Sequence, residues 1–194
     1  MPRILKRCPW AYLHPSLEHY HDQEWGRPQY NSMRLFELLC LETQQAGLSW
    51  LTVLRKREAY RDCFYHFNPA RIAQLGEVEL EALLKDSRLI RNRRKIQSIL
   101  TNARSFQKIQ EKISFSDFVW RVMEGKPLTN YWKAMEEVPT YTDLAIQLTI
   151  SLKEAGFQMI GPTTVYSFMQ AAGMVNDHLI ICHCHSNIDI PKYP

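Results

Sequence analysis

The 194-residue sequence contains no apolar run long enough to span a bilayer, no low-complexity tract and no internal repeat. Its N-terminus, MPRILKRCPW, is basic but has no apolar signal core, so secretion is not expected. Five cysteines, an odd number scattered along the chain, do not outline a disulfide framework, and a reducing, cytoplasmic setting is expected. No HExxH pattern occurs, so nothing suggests an open, catalytic zinc. Convincing alternating strands are absent; IGPTTV is ambiguous until its proline is read as a helix start. With 45% hydrophobic and 23% charged residues, the chain has the composition of a globular protein able to bury a core.

Helix signals fill the chain. Asn31-Ser32 opens a helix through Leu35, Leu38 and Leu39 that Gly47 stops, and Ser49 opens a second with Trp50, Val53 and Leu54 on one side. Asn68-Pro69 supplies a cap and a first-turn proline for ARIAQL. Residues 77–85 (EVELEALLK) and 94–110 (RKIQSILTNARSFQKIQ) carry helical periodicity. Ser116 is expected to cap DFVWRVME up to Gly125, Thr142 to cap TDLAIQLTISLKEAG, and TTVYSFMQAAG to form the last long helix. Residues 126–139 (KPLTNYWKAMEEVP) read as a loop or linker. The expected fold class is all-α. Terminal parts, 1–67 and 126–194, bracket a central run of short helices, 68–125, within one compact unit.

Two features depart from a plain helical protein. Between Lys85 and Lys95, six basic residues (Lys85, Arg88, Arg91, Arg93, Arg94, Lys95) meet one acid, Asp86, for a local charge of +5; the whole chain carries +4, so the remainder carries 4 − 5 = −1. Such a stretch suits a polyanion or, more plainly, a solvated helix end. The second feature is Glu42 in LLCLETQQAGLSW. It takes the next place on the stripe of Leu35, Leu38 and Leu39, where a charge out of water is costly unless paired, protonated or bonded to a cation. Between residues 20 and 50 the chain also supplies Tyr20, Trp25 and Trp50. Each aromatic alone is most simply core, and Glu42 has a bland alternative in an ion pair with another helix. Together they offer planes for an extruded base, worth about 1–3 kcal/mol of stacking, and a carboxylate that favours a cationic purine. Asp22 and Glu24 read as solvent-facing or supporting residues.

Cys8 and His21 near one end, with His178 and Cys182 of DHLIIC near the other, would complete a tetrahedral zinc site that ties the two ends together. If 176–182 is helical, His178 and Cys182 share a face at i,i+4. Two alternatives stand beside this. Both cysteines could be small buried apolar residues with incidental histidines, or His183, Cys184 or His185 of the CHCHS tail could supply a ligand.

CPW, YHDQEWG, LETQQAGLSWLTVLRKREAYRDCF and YSFMQAAGMVNDH, in this order and separation from Cys8 to about Cys184, closely resemble the 3-methyladenine DNA glycosylase I family. The resemblance implies a helix-hairpin-helix glycosylase fold. It also implies a monofunctional base-excision repair hydrolase that flips 3-methyladenine out of alkylated double-stranded DNA and releases it as the free base. It implies one structural zinc ion on Cys8, His21, His178 and Cys182, favouring Cys182 over Cys184. The base pocket of the family maps onto Glu42 as catalytic carboxylate, onto Tyr20 and Trp50, and toward the rim onto Trp10 and Trp25. LIRNRRKIQSI corresponds to the DNA-binding hairpin, with Arg91, Asn92, Arg93, Arg94 and Lys95 on phosphates. A monomer with no membrane attachment is expected. Leu17 stands where the family commonly has tyrosine, which leaves that wall of the pocket more open or apolar. The hairpin lacks the LPGVG form of other superfamily members, and Ile96 takes the position of the lyase lysine, so no lyase activity is expected.

Three other readings use the same residues differently. A catalytically silent, zinc-stapled module would bind alkylated DNA without cutting it, consistent with Leu17 and the lack of an obvious general base. A zinc hydrolase of another substrate would need an open coordination position. A purely structural helical protein leaves Glu42 and the basic stretch unexplained.

Overall fold

Most helices begin where a side chain can satisfy their first amides. In the computed structural model, which describes residues 5–186, Asn31 Oδ1 accepts from the amides of Met33 and Arg34 at 3.0 and 3.1 Å and opens a helix over Ser32–Gln45. Ser49, Asn68, Asn92, Ser114 and Thr142 do the same for later helices. In chain order the helices are α1 (Pro15–Gln23), α2 (Ser32–Gln45), α3 (Trp50–Cys63), α4 (Pro69–Ile72) and α5 (Glu77–Lys85). They continue with α6 (Arg93–Gln110), α7 (Phe115–Trp120), α8 (Asp143–Glu154) and α9 (Pro162–Ala171). None is long and apolar enough to cross a membrane among the described residues.

α2 is the hub. Every residue from Leu35 to Gln44 is buried, and the helix packs on α3, α6, α7 and α9. One apolar core runs from Leu35 and Leu39 through Ile96 and Ile99 of α6 to Val165 and Phe168 of α9. A smaller cluster gathers Cys8, Tyr20, Trp25, Leu179 and Cys182 where the two ends of the chain meet. Trp50, the first residue of α3, borders both clusters.

The structure corrects several local expectations. α1 gave no recognised cap, because the side chain that accepts from the Ser16 amide is His14, at 3.0 Å. Ser114, not Ser116, caps α7, which continues only as a 3-10 turn over Arg121–Met123. Residues 126–139 are mostly a loop, as expected, but a tethered one: Leu128–Thr129 (β1) pairs in parallel with Val175–Asn176 (β2), Leu128 opposite Val175. Residues 177–182 are not helical, and the Cys182 amide turns back to the Leu179 carbonyl at 2.7 Å. Gly173 makes the neighbouring close approach possible. At φ +61° an added Cβ would lie 2.1 Å from the Arg27 carbonyl carbon, so only glycine lets residues 26–29 run against the end of α9.

The basic stretch divides. Arg91, Asn92, Arg93 and Arg94 are exposed between α5 and the start of α6, whereas Lys95 is buried. Its ammonium donates to the carbonyls of Gln44 and Ala46 at 2.8 and 2.7 Å, closing the C-terminal end of α2 where a cation is favoured. Lys95 is therefore engaged within the protein, unlike its exposed neighbours. Lys95→Met should lower the unfolding free energy by about 1–3 kcal/mol, chiefly through the buried Gln44 carbonyl left without a donor. It should also leave the slope of DNA affinity against salt unchanged. A flattened slope in a salt titration of binding would return Lys95 to the phosphate interface.

Candidate active site

The meeting of α1, α2, α3 and α9 leaves a cavity of about 230 Å³. Trp10, Tyr20, Trp25 and Trp50 form its aromatic walls, Glu42 and Gln45 come from α2, and Ser167 and Gln170 from α9. Met135, Val138 and Asp177 complete it. The Tyr20 and Trp50 rings lie 5.3 Å apart and tilted by 47°, while Trp10 meets Trp25 edge to face at 5.1 Å. Leu17 is buried in α1 and is not one of the walls, so the expected change of that wall does not occur.

α2 carries two buried glutamates, and the contrast between them defines the site. Glu37, 4% exposed, is neutralised by Arg34 and by Arg61, the latter at 2.7 Å. Glu42, also 4% exposed, has no such partner, and its Oε2 accepts no hydrogen bond. Its bland alternative, an ion pair, does not form among the described residues; Arg57, on the neighbouring helix, is taken by Glu24 at 2.6 Å. Burial pushes the Glu42 carboxyl up to about 8. Trp50 Nε1 is likewise buried without an acceptor, so one orphan acceptor and one orphan donor belong to walls of the same cavity. Polar groups left this way are costly unless a ligand meets them. Asp177 is the opposite case. Four neutral donors, from Asn130, Trp132, Tyr166 and Gln170, reach its two oxygens at 2.6–2.8 Å.

Sequence reasoning missed Gln45, Met135, Val138, Ser167, Gln170 and Asp177. Gln45 sits in the quoted QQAG and Asp177 precedes His178, but neither spacing signals a wall. Met135 and Val138 lay hidden in the supposed linker.

Behind the aromatic wall, Cys8, His21, His178 and Cys182 are all buried, and their ligating atoms lie within 4.8 Å of one another. Four of the edges are known: 3.1 Å between His21 Nε2 and His178 Nδ1, 3.4 and 3.5 Å from Cys182 Sγ to these nitrogens, and 3.7 Å from Cys8 Sγ to His178 Nδ1. A tetrahedral zinc ion with ordinary Zn–S and Zn–N bonds requires edges of roughly 3.3–3.8 Å. Three of the four edges fall in that range and the His21–His178 edge is about 0.2 Å short of it, so with a small opening of that pair the donor set fits one such ion. The outward nitrogens are held as a ligand pair needs: His178 Nε2 is 3.2 Å from the Trp25 carbonyl, and His21 Nδ1 is 2.8 Å from Asp22, itself gripped by Arg7. Cys184 Sγ lies 4.0 Å from His21 Nδ1, the nitrogen facing away from this cage. Of the tail histidines, His183 is 2.9 Å from the Lys6 carbonyl and also forms, with Cys182 and Cys184, a second group close enough to hold a metal, whereas His185 is 2.8 Å from the Asn130 carbonyl. His21 also meets Trp10 at 5.2 Å, and His178 meets Trp25 at 4.7 Å. The cage is thus the backing of the aromatic wall.

Of the basic residues, Arg91 and Arg94 are exposed, Arg93 is paired with Glu77 and Glu81, and Asn92 caps α6 through the Lys95 amide. The loop that bears them is braced from behind: Lys56 donates to the Ser87 and Arg88 carbonyls, and the Ile90 amide donates to Tyr60 Oη at 3.2 Å.

Comparison with known proteins places this arrangement. The methyladenine glycosylase family model matches residues 10–185. DNA-3-methyladenine glycosylase 1 of Escherichia coli is 45% identical over 182 residues, which is 93% of this chain and 97% of the relative. A crystal structure of 3-methyladenine DNA glycosylase I superposes with a TM-score of 0.91 at 48% identity, covering 93% of this chain and all of that one. Another, a tyrosine-to-phenylalanine variant of 3-methyladenine DNA glycosylase I in complex with 3-methyladenine, gives a TM-score of 0.90 at 38% identity, covering 94% and 99% of the two chains.

The Glu42 shift makes a prediction with a definite sign. The native carboxyl holds its proton up to about pH 8, whereas the unfolded one loses it near 4.5, so stability is full below 4.5 and falls as pH rises through 8. Glu42→Gln should therefore melt several degrees higher than wild type at pH 8 and gain less at pH 5. Parallel melting curves for the two proteins across that range would contradict the buried, unpaired carboxyl.

Proposed function

As a member of the methyladenine glycosylase family, the chain is a DNA glycosylase, a hydrolase of N-glycosidic bonds, and we propose that it removes 3-methyladenine from alkylated double-stranded DNA in base-excision repair. The observation that carries this is the Glu42 carboxyl, buried beside aromatic planes with no partner of its own. The base is flipped into the cavity at a cost of a few kcal/mol, lower for a damaged pair. It stacks against Trp50 with Tyr20 close by, and Trp10 and Trp25 line the rim.

N3-methylation leaves adenine cationic and its glycosidic bond weak. A paired acid and base, as in sugar hydrolases, is then unnecessary. Glu42, protonated in the empty cavity, gives up its proton to solvent as the cationic base enters; the carboxylate then accepts from the base edge and stabilises its positive charge, more strongly in a low-dielectric cavity. Neutral adenine offers neither that charge nor the methyl contact. The C1′–N9 bond breaks with its electron pair passing to the base, water adds to the oxocarbenium carbon, and the proton it loses passes to solvent. Lys95 is engaged by two carbonyls and Ile96 is buried, which supports a monofunctional route with water as nucleophile. The α5–loop–α6 unit is read as the helix-hairpin-helix element, in a central part 68–125 bracketed by the terminal parts 1–67 and 126–194. Its Arg91, Arg93 and Arg94 grip phosphates without reading sequence, with Asn92 shaping the turn.

Cys8, His21, His178 and Cys182 are read as holding one zinc ion. With four protein ligands it would supply folding energy and leave no position for a water, which disfavours the zinc-hydrolase reading. The binding-only reading draws on Leu17, which does not border the cavity, and on the lack of an obvious general base, which a cationic leaving group does not require.

Base release from methylated duplex DNA, with the freed bases separated by chromatography, tests the reaction. Wild type should free 3-methyladenine, and Glu42→Gln should do so about 10- to 100-fold more slowly, the worth of one charge-assisted hydrogen bond. Equal rates would remove Glu42 from the mechanism, and no release by wild type would leave a damage-binding module. For the metal, atomic absorption should find one zinc per chain. Cys8→Ser should lose it, melt lower and bind free 3-methyladenine more weakly as Trp10 and Trp25 lose their backing; an unchanged melt would make the cage incidental.

A further inference from the structure

Beside the cage lies a buried thiol that neither the base cavity nor the four candidate ligands use. The ligating atoms of Cys184, His183 and Cys182 lie within 4.8 Å of one another. Cys182 belongs both to this group and to the cage, so the two share one sulfur. His183 Nε2 is 3.4 Å from Cys184 Sγ, an edge that a tetrahedral zinc ion with ordinary bonds spans.

The other ring nitrogen of His183 decides which way its lone pair faces. Nδ1 lies 2.9 Å from the Lys6 carbonyl, which can only accept, so Nδ1 carries the hydrogen and the neutral ring turns its basic nitrogen toward Cys184. The backbone of the tail is fixed around this pose. The His183 amide donates to the same Lys6 carbonyl at 2.8 Å, the Cys184 amide donates to Cys182 Sγ at 3.4 Å, and Asn176 donates to the His185 carbonyl at 3.0 Å. Asp22 Oδ1 lies 3.6 Å from His183 Nε2, but Arg7 and His21 already hold it, so it is not counted as a ligand.

Access to solvent is graded along these residues. Cys8, His21, His178 and Cys182 are all buried, whereas the His183 side chain is 21% exposed. A hydrated dication has no open way to the cage ligands. It meets His183 first, and from there each further donor is one ligand exchange away.

We infer that His183 and Cys184, with the shared Cys182 sulfur, form an outer metal site through which zinc passes to and from the buried cage. This rests on the reading of the cage as a zinc site. His183 Nε2 and the Cys184 sulfur take the ion from solvent, and Cys182 then bridges. His21, His178 and Cys8 replace the two outer donors one at a time. Each thiol that binds gives its proton to solvent, and Cys184 regains one as it lets go; nothing is oxidised or reduced. The outer pair lowers the barrier to exchange and leaves the loaded state as it was, because neither residue is a ligand at the end.

The test follows radioactive zinc in the buffer as it exchanges into the zinc-loaded whole protein. Cys184→Ser keeps the size of the side chain and His183→Gln alters a half-exposed one, so both variants should fold. Each should slow exchange about tenfold, a typical effect for a residue beside a metal site. Both should keep one zinc per chain, the wild-type zinc affinity and the wild-type melting temperature, since a route changes the forward and backward rates by one factor. Exchange at the wild-type rate in both variants would overturn the outer site and leave the cage standing. Faster exchange with a lower melt would overturn it as well, making Cys184 a packing residue of the cage. Wild type that binds no zinc would remove the cage, and the outer site with it.

Discussion

Glu42 places an ionisable group inside the central helix with no ion-pair partner among the described residues, and the surrounding elements hold it there. Asn31 fixes the start of α2, and Lys95 fixes its end through the Gln44 and Ala46 carbonyls. Gln44, two residues on from Glu42, donates back to the Lys95 carbonyl and accepts from Tyr60, whose hydroxyl oxygen in turn takes the Ile90 amide. One hydrogen-bonded chain thus runs from the helix that bears the carboxyl to the loop that bears the exposed arginines. Five residues away, Glu37 shows the ordinary way of burying an acid, between two arginines. The absence of that arrangement at Glu42 is what makes it the residue on which the proposed recognition rests.

The Cys8/His21/His178/Cys182 cage plays the corresponding part for the aromatic wall. His21 and His178 serve on one side as candidate ligands and on the other as packing surfaces for Trp10 and Trp25. Because Cys8 and Cys182 come from opposite ends of the chain, closing the cage fixes both ends and the rim of the cavity together. The Asp177 network extends the same rigidity, since its four donors come from the 130–132 segment and from α9. The cavity is therefore preorganised on every side, with its unsatisfied groups directed at what enters.

Much of this was legible in the sequence wherever a single side chain decides the outcome. Asn31, Ser49, Asn68 and Thr142 cap helices as their types require, and Glu42 declares itself by interrupting an apolar stripe. The four cage residues could be named, but the geometry that joins His178 to Cys182 is a turn and not the helix that their spacing suggested. What stayed hidden depends on distant partners. Lys95 looks like its basic neighbours until α2 ends beside it. Residues 126–139 look slack until β1 finds β2. α1 is capped by a histidine, a residue that helix starts seldom use. Cavity walls such as Ser167, Gln170 and Asp177 carry no local signal, because only the packing of α9 against α2 brings them to the site.

The central claim is that the Glu42 carboxyl is held unpaired for a basic ligand edge. Carbon-13 NMR titration of its side-chain carboxyl, with and without 3-methyladenine, measures this directly. The account predicts titration near 8 in the ligand-free protein and a clear fall when the base binds, as ring and amino N–H groups meet the carboxylate. A carboxyl that titrates in the ordinary range near 4.5, or one that ignores the base, would contradict it.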